Sequence, residues 1–478
     1  MTATVIDFPP ERLTDDPIER LLYSRDLAPV PAILSRTFFK TLPDAVARPA
    51  DAAQVADVIR QAACAGIPVT PRAAASTSYY NAVPVRGGLV LDVNDLRGDP
   101  TLDTERQTVR VLPGVTWFQL DDALRRQGFA VKSYPSSAVA ATIGGWVSTQ
   151  GHGLGSLQYG GLGAQLVSLE VVLPSGQVRS VTRDTNPPLD WFLAAEGTLG
   201  VITAAELTVR PRPTAETHHL RAFDDFATLS ASSLALAQAD PPPFTIFFGD
   251  AAYLRLLQAG GFHVPLDPSG PARGLLLVSY QGKASDVERG KALLTKVGGR
   301  ELPDEVALEE WNLRLFHLRT KRAGPSLLAA EMWLPLRHLG AYLDAVNDLA
   351  QRTGQVIGTY GLVVTPQQAQ VMSIYPTDER EQTAYLAAIG FTKRLHDLGA
   401  KFGGRPYGVG LWNTPYLSRL FPRATLAELR RRKALLDPQG IMNPGKLYAA
   451  PFPLWPLTFA PGAGALGLAH GRLGRRSA

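Results

Sequence analysis

The sequence predicts an α+β protein, and three features of the chain lead to that prediction. Short strands and helices alternate through the first half. A glycine-rich stretch, Tyr134–Gly163, lies between regular elements, and the second half has the order of strands and helices typical of an antiparallel sheet covered by helices. At 478 residues, the chain is long enough for two or three domains with sizeable cores.

The glycine-rich stretch is the part of the chain on which the functional prediction depends. Glycine is costly to order and is used where the backbone turns sharply or comes close to a large group. A long segment of this kind is more often functional than a plain connection. Its serine and threonine hydroxyls and its main-chain N–H groups suit phosphate groups. A surface loop of small residues is the alternative that the stretch alone leaves open.

Composition places the chain among ordinary soluble globular proteins, because 45% of its residues are hydrophobic and 19% are charged. The formal net charge of +5 is small for this length and charges of both signs are interspersed, which argues against a dedicated nucleic-acid binder. The single cysteine, Cys64, excludes intramolecular disulfides and cysteine-based zinc or iron–sulfur sites. It falls within a helical pattern that predicts a buried core thiol.

No targeting segment is expected from the sequence. The N-terminus lacks a charged region followed by an apolar run, which a signal peptide would have. No stretch approaches the ~18 consecutive apolar residues of a membrane-spanning helix. A cytoplasmic protein is the default expectation.

The first half shows clear start and stop signals. A short helix is expected near Ile18–Arg25. Asp51 is the predicted N-cap of a helix that ends at Gly66, and Thr116 with Gln119 forms a predicted capping box. Strands are predicted at Ile67–Thr70, Gly88–Val93, Gln107–Leu112, Gln165–Leu173, Gln177–Thr182 and Val201–Val209.

The composition shifts near Thr214, and Pro241–Pro243 marks irregular chain. Beyond it, strands and helices alternate again. The predicted strands are Gly274–Tyr280, Gln355–Val364 and Gln370–Tyr375. The predicted helices are Ala284–Val297, Arg337–Arg352, Asp378–Leu398 and Thr425–Leu436.

Several well-known motifs are absent from the sequence. There is no G-x-x-x-x-G-K-[ST], which disfavours a P-loop NTPase. Gly151–Gly155 has the wrong spacing for G-x-G-x-x-G and precedes no clear helix, which disfavours a Rossmann site. Neither G-x-S-x-G nor H-E-x-x-H occurs, which disfavours a serine hydrolase or a zincin.

Segments in both halves resemble one family. Five in the first half, in order, resemble the FAD-binding domain of the vanillyl-alcohol oxidase / p-cresol methylhydroxylase family: Ile67–Ser78, Val111–Val115, Pro135–Gly163, Leu173–Gly176 and Glu196–Ile202. Leu436–Lys446 resembles the closing motif of that family's D-2-hydroxyacid branch, which contains glycolate oxidase subunits and D-lactate dehydrogenases. The likeness spans residues 40–448 and is weakest in the middle.

The resemblance implies a two-subdomain FAD-binding domain of the p-cresol methylhydroxylase (PCMH) type and a cap domain with an antiparallel sheet covered by helices. The domain limits that follow are an N-terminal arm at 1–42, the FAD-binding domain at 43–213, the substrate or cap domain at 214–424, a C-terminal segment returning to the FAD domain at 425–448, and a tail at 449–478.

The resemblance also implies which residues bind FAD. The backbone of one turn would wrap the pyrophosphate: Arg72, Ala73, Ala74, Ala75, Ser76, Thr77 and Ser78. The glycine-rich stretch would line the isoalloxazine and ribityl groups through Pro135, Ser136, Ser137, Thr142, Ile143, Gly144, Gly145, Ser148, Gly151, His152 and Gly155. The adenosine end or the ring would contact Gly200, Val201 and Ile202, and the C-terminal motif would close over the flavin through Asn443 and Lys446.

The pyrophosphate turn departs from the family pattern, because Ala73–Ala75 replaces the usual glycines. Alanine adopts a positive φ at a cost of about 1–2 kcal/mol, so the turn is expected to be reshaped or to hold FAD differently. The turn contains no histidine, and Cys64 lies upstream of it. These departures imply non-covalent FAD. His152 is the one histidine in the flavin-binding stretch, and a covalent link there is the alternative.

The substrate side departs as well. Tyr407 stands where the hydroxyacid branch usually has a histidine, and Pro406 stands where it has a glutamate. The branch's metal-binding histidines have no counterpart in Gln355–Val364, so no metal site is expected.

Tyr407 is the first catalytic candidate, with Arg405 beside it. Trp311–Arg314 resembles the W-x-x-R segment that begins the cap's substrate helix, and Arg314 would grip a carboxylate bidentately. A structural role for Tyr407 and a solvent-facing one for Arg314 stay open.

The resulting prediction is an FAD-dependent oxidoreductase that oxidises a small hydroxylated substrate, with 2-hydroxy acids among the candidates. Hydride would go to flavin N5 while a base takes the hydroxyl proton. The alternatives are a sugar-lactone or alditol oxidase and a non-catalytic subunit of an electron-transfer complex. The electron acceptor stays open between oxygen, a quinone and a partner protein. The apolar, Pro- and Gly-rich tail is either disordered or docks to a membrane surface or partner protein.

Overall fold

The protein is described by a computed structural model, in which residues 6–28 and 39–449 are described. The docking prediction for the tail falls on residues outside these ranges. Within them, no helix has both the length and the apolar character needed to cross a membrane.

The chain divides into two compact units. The first contains the described residues of Met1–Gly151, Leu162–Pro211 and Gly408–Pro453, and the second contains His152–Gly161 and Arg212–Tyr407. The glycine-rich stretch therefore contributes to both units. The domain limits expected from the family resemblance stay a prediction.

Helices are numbered in chain order within the described residues. They are α1 (Pro17–Tyr23), α2 (Ala52–Ala65), α3 (Trp117–Arg125), α4 (Ile143–Thr149), α5 (Ser156–Tyr159), α6 (Phe226–Ala237), α7 (Ala251–Ala259), α8 (Ala284–Leu294), α9 (Asp304–Asn312), α10 (Leu339–Thr353), α11 (Gln382–Lys401), α12 (Leu417–Leu420) and α13 (Arg423–Leu436).

Strands are numbered in the same way. They are β1 (Leu13–Thr14), β2 (Ala45–Ala47), β3 (Val69–Arg72), β4 (Leu89–Asp92), β5 (Thr101–Asp103), β6 (Thr108–Val111), β7 (Phe129–Ala130), β8 (Leu166–Val172), β9 (Val178–Val181), β10 (Val201–Thr208), β11 (Arg210–Pro211), β12 (Ala215–Phe223), β13 (Thr245–Asp250), β14 (Gly274–Gly282), β15 (Arg300–Glu301), β16 (Ser326–Pro335), β17 (Gly358–Thr365), β18 (Gln368–Thr377) and β19 (Arg405–Pro406).

The first unit is built on two main sheets. In one, the strand order is β1-β2-β4-β3, and β4 runs parallel to both β2 and β3. In the other, the order is β5-β6-β10-β8-β9 and neighbouring strands are antiparallel. These sheets correspond to the two predicted subdomains, so the fold class is confirmed.

Local signals placed α2 and α3 of the first unit correctly. The Asp51 carboxylate accepts the Gln54 N–H at 2.8 Å and caps α2, whose apolar face packs in the core beside β4. Thr116 and Gln119 form the predicted capping box of α3. Each large apolar side chain that is fully buried in such a core contributes about 1.5–3 kcal/mol.

The second unit is built on one antiparallel sheet of eight strands. Their order is β15-β12-β14-β13-β17-β18-β16-β19. Helix α11 packs on β16, and helices α6 and α10 pack on each other. This arrangement confirms the predicted antiparallel sheet with helices on it.

Pro241–Pro243 lies in irregular chain between α6 and β13, as predicted, whereas the flanking elements β12, α6, β13 and α7 were not predicted. Strand β12 lacks the usual apolar signal since its histidines have polar partners. His218 Nδ1 lies 3.0 Å from the Ser279 hydroxyl, and His219 Nδ1 lies 2.8 Å from the Glu301 carboxylate.

Two smaller predictions are wrong. Cys64 is exposed rather than buried, because it lies two positions after the buried Ala62 and a helix turns by about 100° per residue. Gly155 is followed by a single helical turn, α5, although the sequence indicates no helix there.

Candidate functional site

The predicted pyrophosphate turn follows strand β3, which ends at Arg72. The Arg72 guanidinium donates to the main-chain oxygens of Tyr23 (3.3 Å) and Ala82 (3.1 Å), so this side chain anchors the turn. Ala75 has a φ of 50°, in the left-handed region. The turn therefore keeps a glycine-type conformation with alanine, at a cost of about 1–2 kcal/mol.

Ala75→Gly is expected to raise the free energy of unfolding by up to about 1 kcal/mol, because relief of the left-handed strain outweighs the added freedom of the unfolded chain. Ala74→Gly is the matched control, since Ala74 is exposed and lies outside the left-handed region. It should lower the free energy of unfolding by about 0.5–1 kcal/mol. Urea denaturation measures both values, and a shift of the same sign in the two variants would contradict the strain.

Helix α4 lies against this turn. A Cβ added to Gly145 would lie 3.6 Å from Ala73 Cβ. The Thr142 hydroxyl accepts the Gly145 N–H at 3.4 Å, and Ser148 Oγ donates to Gly144 O at 2.7 Å. The other predicted residues of this part of the stretch precede or begin the helix: Pro135, Ser136, Ser137 and Ile143.

The glycine-rich stretch leaves the first unit after Gly151. A Cβ there would lie 1.7 Å from the Trp146 indole nitrogen, so this position requires glycine. Leu162 N–H donates to Gly151 O at 3.2 Å, which joins the two ends of segment 152–161. Within the second unit, Gly155 N–H donates to Phe244 O at 3.1 Å.

A loop before β10 joins the same group of segments. Glu196 N–H donates to Ser148 O at 3.0 Å, and a Cβ on Gly197 would lie 3.1 Å from Pro71. The loop leads into the start of β10, where the three predicted residues are all buried: Gly200, Val201 and Ile202.

The C-terminal motif returns to these segments through Asn443. Its N–H donates to Val69 O at 2.7 Å, in the strand before the turn. Its side-chain amide donates to Asn81 O at 3.0 Å and to Glu196 O at 2.7 Å. Asn443 therefore fastens three distant segments together.

Lys446 lies in the same motif and is fully buried. Its ammonium donates to the main-chain oxygens of Tyr80 and Val83, both at 2.6 Å. Burial lowers the pKa of Lys446 and raises the pKa of nearby Asp26, while their mutual attraction opposes both shifts. Lys446 therefore supports the segment after the turn, and a direct contact with a cofactor stays a prediction.

Backbone strain is concentrated in these segments. Eight described residues other than glycine have positive φ values between 37° and 61°, and seven of them lie in or beside these segments: Ala75, Tyr80, Gln150, Ala194, Glu196, Asn443 and Leu447. Such conformations persist where the surrounding structure enforces them, and they cluster at ligand sites.

Buried polar atoms mark the same place. Of the buried side-chain polar atoms without a hydrogen-bond partner in the described residues, four belong to the residues around the predicted site: Thr77 Oγ1, Asn81 Oδ1, Glu196 Oε2 and Asn443 Oδ1. Unsatisfied buried groups of this kind cost about 1–3 kcal/mol each and are uncommon in a finished core. A large polar cofactor such as FAD would supply partners, so the residues of the first unit fit it.

Burial also raises the pKa of the Glu196 carboxyl from 4.5 to about 7, although the Gly410 N–H donates to Oε1 at 3.0 Å. The folded state thus favours the protonated acid. This stabilisation is complete below pH 4.5 and is lost as the pH rises through 7.

Glu196→Gln is expected to remove this pH dependence. Relative to the variant, the wild-type protein should lose about 3 kcal/mol of unfolding free energy between pH 4.5 and pH 8. Urea denaturation of the holoprotein at several pH values measures the difference. Glu105→Gln, at an exposed position, is the control and should follow the wild type at every pH. A parallel course of Glu196→Gln and wild type would contradict the prediction.

The second unit contains a separate polar cluster around Tyr407. The Tyr407 hydroxyl accepts the His152 N–H at 2.9 Å, and the Trp333 ring lies 4.7 Å from the His152 ring and 5.2 Å from the Tyr407 ring. Tyr407 N–H donates to Glu331 O at 3.1 Å. The Glu331 carboxylate accepts a hydrogen bond from the Gln370 amide.

The other two predicted substrate residues have different surroundings. Trp311 lies in the last turn of α9, so its motif ends a helix rather than beginning one. The Arg314 guanidinium lies over the Trp311 ring at 4.3 Å and donates to Trp311 O at 3.0 Å. On the other side, the His218 ring stacks on Trp311. Arg405 is exposed on β19, next to Tyr407 in sequence.

The structure thus groups the sequence-predicted residues in two sets. Those of the turn, α4, the β10 loop and the C-terminal motif meet in the first unit, whereas His152, Gly155, Arg314, Arg405 and Tyr407 belong to the second. Sequence reasoning missed Asn81, Glu331 and Gln370. The one signal for Glu331 is an acid within an apolar alternating strand; Asn81 and Gln370 have none.

Two protein families match this chain, and the matched residues include parts of both units. Residues 43–182 match the FAD binding domain family, and residues 212–447 match the C-terminal domain family of the FAD linked oxidases. The chain belongs to the FAD-linked oxidases. FAD is its cofactor. The turn and α4 lie within the matched FAD binding domain, the β10 loop lies between the two matches, and the C-terminal motif lies within the matched C-terminal domain.

Two relatives are similar to this FAD-linked oxidase over most of its length. The glycolate oxidase subunit GlcD of Bacillus subtilis is 26% identical over 463 residues, which cover 92% of this chain and 94% of the relative. A D-lactate dehydrogenase of Archaeoglobus fulgidus is 25% identical over 416 residues, covering 84% and 90%.

Solved structures share its fold. Substrate-bound p-cresol methylhydroxylase aligns with a TM-score of 0.78 at 17% identity, covering 93% of this oxidase and 96% of that chain. An alkyldihydroxyacetonephosphate synthase aligns with a TM-score of 0.73 at 19% identity, covering 92% and 83%. These likenesses confirm the predicted PCMH-type FAD-binding domain.

Proposed function

We propose that this FAD-linked oxidase oxidises the CH–OH group of a small hydroxylated substrate, with 2-hydroxy acids as the first class to test. The observation that carries the proposal is the similarity to a glycolate oxidase subunit across 92% of the chain. A D-lactate dehydrogenase of similar coverage supports the same substrate class. When bound, FAD supplies the redox chemistry by accepting a hydride.

The first unit would hold FAD without a covalent bond. The Ala73–Ala75 turn carries no nucleophilic side chain, and Cys64 lies in a helix upstream of it. His152 N–H donates to Tyr407, and the His152 ring packs on Trp333 within the second unit. Denaturation in acid should therefore release all of the flavin into solution. Flavin that stays with the precipitated protein would contradict non-covalent binding.

The second unit would bind the substrate. Tyr407 offers a phenolic hydroxyl, and Arg314 offers a guanidinium suited to a carboxylate. If Arg314 binds the substrate carboxylate, Arg314→Ala should raise KM for a hydroxy acid and leave KM for an uncharged alcohol unchanged. Arg352, an exposed arginine in the last turn of α10, is the control, and Arg352→Ala should leave both KM values unchanged.

The decisive experiment is anaerobic mixing of the purified yellow protein with a panel of 2-hydroxy acids, sugar lactones and polyols. Bleaching of the flavin by a hydroxy acid supports the proposal. Bleaching by lactones or polyols alone would identify a sugar-lactone or alditol oxidase instead. A protein that no compound reduces would contradict the enzymatic proposal. Reoxidation by oxygen, a quinone or a partner protein then identifies the electron acceptor.

A further inference from the structure

We propose that Glu331 is the catalytic base that takes the hydroxyl proton from the substrate, and that Tyr407 serves as a hydrogen-bond donor in the same cluster. The inference rests on the proposed function, since it assigns the proton of that CH–OH oxidation. It is argued from residues of the second unit alone. It gives Tyr407 a hydrogen-bonding role, whereas the sequence indicates Tyr407 as the first catalytic candidate.

Strand β16 presents Glu331 on the more open face of the sheet. Burial alternates along the strand, so that Ala330 and Met332 are fully buried while Glu331 and Trp333 are half-buried. On the same face, the neighbouring strands bring Met372 opposite Glu331, and Tyr360 opposite Met372. A carboxylate among such apolar and aromatic side chains loses solvation, which is uncommon without a functional reason.

Gln370 holds the carboxylate in place. Its amide donates to one carboxylate oxygen of Glu331, and it carries no proton that titrates near neutral pH. Residues opposite each other in adjacent strands have fixed spacing, so β18 sets the position of this donor relative to β16. The Tyr407 N–H bond to Glu331 O fixes the next segment in the same way.

Tyr407 is poorly suited to accept a proton. Burial raises the pKa of its hydroxyl well above the usual value, and the negative charge of Glu331 raises this pKa further. Tyr407 is therefore a neutral phenol at physiological pH. Because its oxygen already accepts the His152 N–H, its own hydrogen is oriented to donate to a substrate oxygen.

The other titratable or charged groups around Glu331 are weak bases or are already engaged. Arg405, opposite Trp333 on β19, is a cation with no acceptor, and His152 packs its ring on Trp333 while its main-chain N–H donates to Tyr407. Burial and the Glu331 charge keep Tyr360 neutral by raising its pKa, and its hydroxyl donates to the Met372 sulfur at 3.1 Å. Burial, with nearby arginines, lowers the pKa of His317 to about 3 and that of His218 to about 4. Glu331 is the carboxylate that faces Tyr407 and Tyr360 together.

The proposed step balances as a two-electron oxidation. The substrate O–H bond breaks and its proton forms an O–H bond with the Glu331 carboxylate. The substrate C–H bond breaks with its electron pair, and this hydride is transferred to FAD. The substrate carbon forms a C=O bond, so the substrate is oxidised by two electrons and FAD is reduced by two.

The test is Glu331→Gln, which keeps the size of the side chain and removes its basicity. We expect the rate constant for anaerobic flavin reduction to fall by about 10²–10⁴-fold, with KM changed little and the pH dependence of reduction lost. Tyr407→Phe should reduce the rate less and keep the pH dependence. Glu331→Asp, which retains a carboxylate one methylene shorter, should retain more activity than Glu331→Gln.

Glu216→Gln is the matched control. Glu216 is a strand glutamate of the same sheet whose carboxylate accepts a hydrogen bond from Gln281 at 3.0 Å, so it imitates the Glu331–Gln370 pair. It lies five strands away from β16, about 24 Å at the usual strand spacing. Its replacement should leave flavin reduction at the wild-type rate.

A second readout needs no substrate. If Glu331 and Tyr407 interact, the effects of Glu331→Gln and Tyr407→Phe on the free energy of unfolding should not add up in the double variant, which urea denaturation of the four proteins at neutral pH measures. The flavin spectrum and urea denaturation check folding of each variant.

The outcomes separate the two proposals. If no hydroxylated compound reduces the wild type, the proposed function fails. Additive effects of Glu331→Gln and Tyr407→Phe on the free energy of unfolding would overturn the Glu331–Tyr407 coupling independently of that result. If the wild type is reduced and Glu331→Gln is reduced equally fast, the assignment of the base is overturned. If the rate of flavin reduction lost its pH dependence in Tyr407→Phe and kept it in Glu331→Gln, Tyr407 rather than Glu331 would be the catalytic base.

Discussion

Replacing Lys446 with methionine is expected to lower the free energy of unfolding by about 3–5 kcal/mol and to release FAD from the purified protein. The Lys446 ammonium donates to the main-chain oxygens of Tyr80 and Val83, and its charge compensates that of buried Asp26. Methionine has a similar length and no donor. The variant would therefore remove the donor to two buried carbonyls and the positive charge that compensates the buried Asp26 carboxyl.

The expected loss of FAD follows from the position of these bonds. Tyr80 has a φ of 61° and lies shortly after the turn that contains Ala75. Without Lys446, the strained segment loses two of the hydrogen bonds that hold it. Flavin absorbance after gel filtration and urea denaturation measure the two effects.

Lys40→Met is the matched control for this prediction, because the Lys40 side chain is 66% exposed and makes only an ion pair with Asp44. Its effect should stay within about 0.5 kcal/mol. A Lys446→Met protein that unfolds like the control and retains its flavin would show that these buried bonds contribute little.

Disrupting the buried pair of Lys433 and Asp437 is expected to have the second large effect. The Lys433 ammonium binds the Asp437 carboxylate and donates to Thr198 O and Met442 O, both at 2.7 Å. The Asp437 carboxylate in turn accepts the N–H groups of Ile441 and Met442. Either Lys433→Met or Asp437→Asn should cost about 3–5 kcal/mol, because each leaves a buried charge without its partner.

The double variant should cost less than the sum of the two single variants, with a coupling energy of about 0.5–3 kcal/mol. Lys393 and Asp397 provide the control, since they form an ion pair with the same spacing in α11 but with side chains 37% and 34% exposed. Breaking this exposed pair should cost about 0.2–1 kcal/mol. Equal losses from the two pairs in urea denaturation would contradict the role assigned to burial.

These buried contacts show a structural role of the C-terminal motif that the family resemblance does not imply. The resemblance implies that Asn443 and Lys446 close over the flavin. In the structure, both side chains bind main-chain atoms of the segments that surround the predicted site, and Lys433 and Asp437 fix the motif that carries them. The motif therefore acts first as a clamp on the first unit.

Local signals were sufficient for much of the fold. The caps at Asp51 and Thr116 were predictable because an N-cap and its partner lie within three residues of each other. Six strands of the first unit were predictable from short apolar runs: β3, β4, β6, β8, β9 and β10. Strands β12 and β16 were missed, because β12 buries histidines with polar partners and β16 carries Glu331 within its alternation.

What the sequence by itself determined is the cofactor class, because the glycine-rich stretch and the segments on either side keep a family order along the chain. The sequence also shows that alanines replace the usual glycines in the turn, and the φ of 50° at Ala75 confirms that a strained position lies there. Only the tertiary structure decided which groups meet. Lys446 binds Tyr80 across 366 positions and Tyr407 binds His152 across 255. No local pattern encodes such pairs, because chain packing sets them rather than the periodicity of neighbouring residues.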